Sequence, residues 1–176
     1  MTTIPYRRIN VVGAPGSGST TLGRALSVQL GFSFADADSF YWKPTVPPFK
    51  EKYDPDVRLE MLLAELASSD ASIVSGSVCG WGGELEDAFD LIIFLSLPTD
   101  LRLRRIEARE ISLFGRADPA FMAWSAQYEQ GELPGRSRAR HEAWLKTRLC
   151  RVLRFEQDQA IEDRVHEVIK LIEAAA

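Results

Sequence analysis

The chain is poor in the side chains that bind transition metals or form disulfides. Its 176 residues include only two cysteines, Cys79 and Cys150, and two histidines, His141 and His166. Two isolated cysteines form neither a zinc cluster nor a disulfide framework of the secreted type, and two histidines exclude a histidine-rich metal centre. We therefore expect a protein without a zinc site and without a disulfide scaffold.

Long apolar runs are missing as well. No segment approaches the ~20 consecutive apolar residues that span a bilayer, and residues 1–10 lack the apolar stretch of a signal peptide. The net charge of −4 argues against a large nucleic-acid-binding surface. Length and composition are those of one soluble globular domain. We expect a cytoplasmic domain spanning residues 1–176, monomeric or homodimeric, with neither a membrane nor a nucleic acid as partner.

Short apolar segments alternate with helical patterns along the chain. Strands are predicted at 9–12, 32–35, 71–75, 91–95 and 151–155. Helices are predicted at 20–30, from Pro55, from Pro98 to about Ser112, at about 140–149 and at the C terminus. This alternation predicts an α/β fold whose parallel sheet is covered by helices on both faces. A loop at 41–54 and an insertion at about 114–140 would border the ligand site at the carboxyl ends of the strands.

The segment after the first predicted strand lacks one residue of a known template. Gly13 to Thr20 reads GAPGSGST, which matches G-x-x-x-x-G-K-[ST] except that Ser19 replaces the lysine. In such loops, backbone N–H groups cradle phosphate oxygens and the following helix dipole attracts the anion. The predicted phosphate contacts are Gly13, Ala14, Pro15, Gly16, Ser17, Gly18, Ser19, Thr20 and Thr21. A plain glycine-rich turn is the alternative, but the strand–loop–helix context favours phosphate binding.

The missing lysine leaves a positive charge to be found elsewhere. That lysine normally reaches the β- and γ-phosphates as a point charge. Arg24, about one turn into the helix, is one substitute, although we expect it to face solvent. The arginines of the insertion are better candidates.

Two aspartates follow the second predicted strand. Asp36 and Asp38 stand at i and i+2, so on an extended segment they would point the same way. One could hold Mg²⁺ through water, and the other could accept a proton from a substrate hydroxyl. A capping and turn pair is the alternative. The neighbouring phosphate loop favours the functional interpretation.

Arginines are concentrated after the fourth predicted strand and at the end of the insertion. Arg102, Arg105 and Arg109 follow i, i+3, i+7 spacing, which predicts a shared helix face. Arginine clamps stabilise charge on a transferring phosphoryl group, whereas a solvated basic face is the usual alternative. We select Arg105, Arg109 and Arg136 as candidates.

Aromatic residues accompany cations in the two remaining loops. The 76–83 segment is rich in glycine, and its Trp81 is predicted either to stack on a ligand or to pack against its own loop. The 41–54 loop combines aromatic residues with lysines: Tyr41, Trp42, Phe49, Tyr53, Lys43, Lys50 and Lys52. Such a loop suits a planar or anionic substrate, or else forms a hydrophobic patch of its own.

Together these residues resemble the adenylate kinase and shikimate kinase branch of P-loop kinases. The specific motifs are the phosphate loop and Asp36-x-Asp38, while the order of elements extends the resemblance over nearly the whole chain. More narrowly, residues 13–23, 40–42, 75–82 and 135–137 look like bacterial adenylate-kinase-like proteins, some labelled AAA, that also lack the lysine. The resemblance implies a three-layer P-loop NTPase fold, a five-stranded parallel sheet, bound Mg-ATP and a mobile lid.

The resemblance also implies roles for individual residues. Thr20 would hold Mg²⁺ directly, Asp36 would hold it through water, and Asp38 would bind or deprotonate the acceptor hydroxyl. Arg105 would lie against the adenine, bordered by the loop around Gln157 and Asp158. The lid-side phosphate contacts would be Arg109 and Arg136.

The chain departs from this branch in ways that bear on the acceptor. Ser75-Gly76-Ser77-Val78 stands where adenylate kinases begin their substrate arginine set, and the three consecutive glycines of shikimate kinases are absent. Neither AMP nor shikimate is therefore supported. We expect an ATP-dependent kinase acting on an unidentified metabolite or nucleotide. The alternatives are a nucleotide-binding sensor with weak catalysis and, less favoured, a slow NTP hydrolase.

Overall fold

The computed structural model describes residues 4–131 and 136–175. Its strands are β1 (Arg8–Gly13), β2 (Ser33–Asp36), β3 (Ser72–Ser75), β4 (Leu91–Leu95) and β5 (Arg151–Phe155). Its helices are α1 (Ser19–Leu30), α2 (Asp38–Tyr41), α3 (Pro55–Ala67), α4 (Gly83–Glu86), α5 (Thr99–Phe114), α6 (Pro119–Ala126), α7 (Arg138–Lys146) and α8 (Ile161–Glu173). No helix in these ranges is long and apolar enough to cross a membrane.

The five strands form one parallel sheet in the order β2-β3-β1-β4-β5. Strand β1 is central, with Ile9 paired to Ile73 on one side and to Leu91 on the other. The chain therefore crosses to one side of β1 first and later to the other. In parallel sheets the loops part at such a switch point and leave a crevice at the carboxyl ends of the strands. The predicted five-stranded α/β fold is confirmed.

Alternating side chains of the strands feed two separate cores. Ile9 and Val11 pack on one face with α1 and α8, whereas Val12 packs on the other with α3 and α7. Both clusters consist of fully or almost fully buried side chains, each worth about 1.5–3 kcal/mol of burial free energy. Helices thus cover both faces of the sheet, which gives the three expected layers.

Local chemistry sets most of the helix ends. Gly31 ends α1 with φ of 69°, and Pro55 opens α3 at its first turn. The Asp118 side chain caps α6 by accepting from the Ala120 N–H at 2.9 Å. Ser137 caps α7 in the same way, so that helix begins at Arg138. The predicted helix at about 140–149 was therefore placed about two residues late.

Two features depart from the sequence predictions. Asp36 and Asp38 do not lie on one extended segment, because Ala37 is helical (φ −57°, ψ −31°) and Asp38 begins α2. The predicted insertion at about 114–140 is also narrower, since α5 runs to Phe114 and α7 begins at Arg138. Its Pro134 and Gly135 lie outside the described residues.

Candidate active site

A cavity of about 970 Å³ opens at the carboxyl ends of the strands, a size that suits a nucleotide plus a second small molecule. Its walls come from the phosphate loop, the two aspartates, the 42–50 segment, α5, α6 and the segment after β5. The predicted site residues among them are Gly16, Ser17, Gly18, Ser19, Thr20, Thr21, Asp36, Asp38, Arg105 and Arg109. Gly13, Ala14 and Pro15 belong to the same loop but do not line the cavity.

The phosphate loop depends on glycine at two places in particular. Gly16 adopts φ of 79°, and a Cβ there would lie 2.6 Å from the carbonyl oxygen of Arg102. A Cβ at Gly13 would lie 2.4 Å from the carbonyl oxygen of Leu95. Any side chain at these positions would force the loop away from β4 and α5. The glycines therefore fix how closely the loop packs on its supports.

Donors around this loop fit an anion. Gly18 caps α1 without a side-chain hydrogen bond, so the first backbone N–H groups of the helix have no side-chain acceptor. Ser17 lines the cavity, but its hydroxyl oxygen is buried against Gly13 and has no hydrogen-bond partner among the described residues. Phosphate oxygens would satisfy the backbone N–H groups at the start of α1. The residues present thus fit a nucleotide phosphate.

Thr20 and Asp36 meet beside the loop. The Thr20 hydroxyl donates to Asp36 Oδ2 at 3.2 Å, and the Asp38 backbone N–H donates to Asp36 Oδ1 at 3.1 Å. Burial raises the pKa of Asp36, against the lowering effect of these hydrogen bonds. The described residues contain no cluster of three or more metal-binding side chains. A hydroxyl and one carboxylate suit Mg²⁺, which completes its shell with phosphate oxygens and water.

Asp38 faces the cavity from the first turn of α2. The Trp42 N–H donates to the Asp38 carbonyl at 3.0 Å, so the two residues are one helical turn apart, and both line the cavity. Arg136 Nη2 lies 3.7 Å from Asp38 Oδ1. Phe49 meets the Trp42 ring edge-on at 5.9 Å, and Lys50 follows it. A carboxylate, two aromatic rings and an ammonium group thus share this end of the cavity.

The 76–83 segment does not form the expected third wall of the cavity. None of its residues lines the cavity, and Trp81 stacks on Tyr41 with ring centroids 6.1 Å apart. Arg58 lies over both rings, at 4.7 Å from Trp81 and 4.9 Å from Tyr41. Trp81 is therefore a packing residue, but its ring packs against Tyr41 and Arg58 and not against its own loop, as the second prediction had it.

The three arginines of α5 share one helix face, as their spacing predicted, but not one environment. Arg102 is fully buried, whereas Arg105 and Arg109 line the cavity with exposed side chains. The difference arises because the start of α5 packs against the phosphate loop. Arg105 Nη2 pairs with Asp158 Oδ1 at 2.6 Å, which joins α5 to the loop after β5. Arg24 is exposed over the Phe34 ring and does not line the cavity, as expected.

Sequence reasoning missed a buried polar chain behind the site. His141 on α7 is hydrogen-bonded to the Ser77 hydroxyl through Nε2 and to the Tyr128 hydroxyl through Nδ1, both at 2.9 Å. Burial first, and the charges of Arg136 and Arg140 next, lower the pKa of His141 to about 3. A neutral His141 therefore links the segment after β3 to the insertion.

Glu86 is a second missed residue. Its carboxylate accepts from the Gly80 N–H at 2.7 Å and from Trp144 Nε1 at 2.8 Å, and so ties the 76–83 segment to α7. The motifs at 75–82 and 135–137 stand apart in the sequence, but His141 and Glu86 join their surroundings in space. Only the buried position of Glu86 distinguishes it from its acidic neighbours, and the sequence gives no signal of that.

Comparisons with known proteins place the chain. No protein-family model matches it. The uncharacterized protein YqaC of Bacillus subtilis (strain 168) is 35% identical over 173 residues, which cover 93% of this chain and 96% of that protein. This chain belongs to the same family as YqaC. Its fold is the P-loop NTPase fold that shikimate kinases also have.

Two similarities outside the YqaC family are more distant. The cytidylate kinase of Methanocorpusculum labreanum is 32% identical over 114 residues, covering 58% of this chain and 63% of that protein. Shikimate kinase from Acinetobacter baumannii superposes with a TM-score of 0.61 over 98% of this chain and 96% of its own, at 20% identity. The second likeness concerns the fold alone.

Proposed function

We propose that this protein is an ATP-dependent phosphotransferase that moves the γ-phosphoryl group to a hydroxyl-bearing small molecule. One observation carries the proposal: a phosphate loop and the Asp38 carboxylate line the same cavity. The Thr20 and Asp36 pair stands between them as a fitting site for Mg²⁺. A nucleotide-binding module alone has no need of a second carboxylate beyond the metal position.

Asp38 is proposed as the residue that orients or deprotonates the acceptor. In the transfer, the acceptor oxygen forms a bond to the γ-phosphorus, the bond from that phosphorus to the bridging oxygen of ADP breaks, and Asp38 takes the hydroxyl proton. Arg136, 3.7 Å from Asp38, would hold this carboxylate in place. Arg109, on the cavity wall, would face the negative charge that develops on the transferring group.

The nucleotide is proposed to lie between the phosphate loop and the paired Arg105 and Asp158. This pair lines the cavity at the far end from Trp42, where Phe155 and Ile161 add apolar surface. Mg²⁺, when bound through Thr20 and Asp36, would neutralise phosphate charge. The base therefore has an apolar and cationic wall of its own, as the resemblance to adenylate and shikimate kinases implies.

The acceptor is proposed to be planar or anionic. Trp42 and Phe49 offer aromatic surface, and Lys50 offers a positive charge, beside Asp38. Aromatic faces favour flat or apolar groups, and an ammonium group favours carboxylate or phosphate. The similarity to a cytidylate kinase and to a shikimate kinase does not determine the acceptor of this protein, so the acceptor need not be a nucleoside monophosphate or shikimate.

The test is ADP formation from ATP in the presence of a panel of hydroxyl-bearing compounds, including nucleosides, nucleotides, sugars and aromatic alcohols. Asp38→Asn should lower acceptor-dependent turnover about 10²–10⁴-fold, the usual share of general-base catalysis, while ATP affinity stays nearly unchanged. Asp54→Asn is the matched control, because Asp54 is exposed and does not line the cavity.

Other outcomes of this test would support other functions. Unchanged turnover in Asp38→Asn would refute the role of that carboxylate. Nucleotide binding without ADP formation, whatever the acceptor, would favour the sensor. Phosphate release that needs no acceptor would favour the slow hydrolase.

A further inference from the structure

The phosphate loop contacts a cation that lies outside the cavity. The Arg102 side chain is fully buried at the start of α5, and its Nη1 donates to the carbonyl oxygen of Pro15 in the loop at 3.0 Å. Arg102 does not line the cavity, so it reaches the loop from the other side. This cation is at the loop in every copy of the folded protein, before any ligand arrives.

All the acceptors that hold Arg102 are neutral. Its guanidinium donates to the Leu97, Pro15 and Ser125 carbonyls and to the Thr99 hydroxyl. Within residues 4–131 and 136–175, no carboxylate lies within ion-pair distance of it. The nearby Glu129 forms its ion pair with Arg138 at 3.7 Å. The charge of Arg102 is thus buried without an ion pair among these residues, and its field acts on the loop that it contacts.

The contact with Pro15 also acts through the peptide plane. A trans peptide points its carbonyl and the following N–H in opposite directions, so the Gly16 N–H points away from Arg102. Gly16 lines the cavity. A cation on the carbonyl polarises the peptide and makes that N–H a stronger donor toward an anion. Arg102 therefore acts on the cavity both through its field and through this peptide group.

We propose that Arg102 supplies, from behind the phosphate loop, the positive charge that the missing lysine at position 19 would otherwise bring to the phosphates. Arg102 is a positioning residue, since it touches the loop and not the ligand. The inference rests on the proposed nucleotide site. It explains how a loop with Ser19 can bind a polyphosphate without a cation inside the cradle.

The experiment compares variants by calorimetric titration with Mg²⁺ and a non-hydrolysable ATP analogue, and then with ADP and AMP. Arg102→Met should weaken binding of the ATP analogue at least about thirtyfold, with smaller losses for ADP and AMP, because the field acts on phosphate charge. Arg102→Lys keeps the charge and should recover most of that loss. Arg104→Met is the matched control, because Arg104 is exposed on the same helix and pairs with Asp100 at 2.9 Å.

A purely structural role would give a different pattern. Equal losses for all three nucleotides, or Arg102→Lys as weak as Arg102→Met, would overturn the proposal. Melting temperatures measured alongside separate loss of fold from loss of charge.

A second variant decides the matter even where Arg102→Met does not fold. Ser19→Lys places the missing cation in the cradle. If Arg102 already supplies the charge, Ser19→Lys in the otherwise unchanged protein raises affinity for the ATP analogue less than about tenfold, whereas a larger gain would overturn the proposal. In the Arg102→Met background the same lysine should restore at least about tenfold, and no restoration there would also overturn it. Failure of the unchanged protein to bind any nucleotide would instead contradict the proposed function itself.

Discussion

The two ends of the cavity are built on different principles. At the phosphate end, Gly16 packs against the Arg102 carbonyl, and the loop is supported by buried strands and a buried guanidinium. At the acceptor end, Phe49 and Lys50 stand exposed on a loop between α2 and α3. Phe49 also adopts φ of 62°, an uncommon conformation for a bulky residue. The comparison suggests that the phosphate end is preorganised and that the acceptor end is where specificity is set.

The largest effect is expected from crowding the preorganised end. Gly16→Ala would place a Cβ 2.6 Å from the Arg102 carbonyl oxygen at φ of 79°, so the loop must move. We expect affinity for Mg-ATP to fall at least about a hundredfold, because the backbone N–H groups of the loop would no longer point at the phosphate oxygens. Calorimetric titration measures this loss.

Gly31 provides the control for that substitution. It also has positive φ, 69°, but a Cβ there meets nothing within 4 Å. Gly31→Ala should lower stability by only about 1 kcal/mol and leave nucleotide affinity unchanged. Equal loss of affinity in both variants would show that the phosphate loop has no special dependence on its close packing.

A smaller and selective effect is expected at the acceptor end. Trp42→Ala removes the aromatic surface next to Asp38, and we expect the KM for the acceptor to rise about tenfold while ATP affinity is kept. Steady-state kinetics with each substrate varied in turn measures the two effects separately. Val57→Ala is a control, since Val57 is 41% exposed and does not line the cavity. A matching loss of ATP affinity in Trp42→Ala would contradict the division of the cavity into two ends.

The buried His141 should make stability depend on pH. Its pKa is lowered from 6.5 to about 3 in the folded protein, so the unfolded chain binds the proton first as pH falls. The stability that depends on a neutral His141 is fully present above the unfolded pKa. It is lost as pH falls below about 6.5, and the loss reaches about 1 kcal/mol by pH 6. Denaturant unfolding of His141→Gln should show a flatter pH profile between pH 7 and pH 5.

The other histidine supplies the comparison for this pH profile. His166 lies exposed on α8, so His166→Gln should keep the profile of the unchanged protein. A profile that is equally steep in His141→Gln and the unchanged protein would show that this histidine is not held neutral.

The smallest effect is expected from Asp36. Burial raises the pKa of this carboxyl, so its ionisation costs the folded protein stability; the cost begins as pH rises through the normal pKa of 3.8 and is complete above the raised pKa. Asp36→Asn should raise the melting temperature by a few degrees at pH 7 without Mg²⁺, and by nothing well below the normal pKa of 3.8. The same variant should lose the Mg²⁺ dependence of nucleotide binding. A lower melting temperature at pH 7 would contradict an energetic cost of the ionised Asp36 carboxylate in the folded protein.

Much of the fold could be predicted from the chain because its strands are buried apolar runs with clear ends. Strand β5 (Arg151–Phe155) was predicted to the residue, and Pro55 marked the start of α3. The short helix α2 could not be predicted, since it is held by a tertiary contact in which the Ala37 N–H donates to the Ser75 carbonyl at 2.8 Å. Four residues are too few to show the periodic apolar pattern from which a helix is predicted.

The candidate site also has parts that could be predicted from the sequence and parts that could not. Glycine spacing predicted the phosphate loop, and proximity in sequence predicted Asp36 and Asp38. Arg102 was predicted to share a helix face with Arg105 and Arg109, but its burial could not be predicted, because the carbonyls that hold it come from residues 15, 97 and 125, which only the folded chain brings together. Residue spacing along a helix reports which face a side chain occupies, not what the rest of the chain places against it.

The most direct measurement is calorimetric titration of the purified protein with Mg²⁺ and a non-hydrolysable ATP analogue. The account predicts binding in the micromolar range, on the order of −8 kcal/mol, with the phosphate loop working without a lysine in its cradle. No detectable heat at several temperatures would contradict it, because the phosphate end of the cavity would then not bind the polyphosphate that it is proposed to hold.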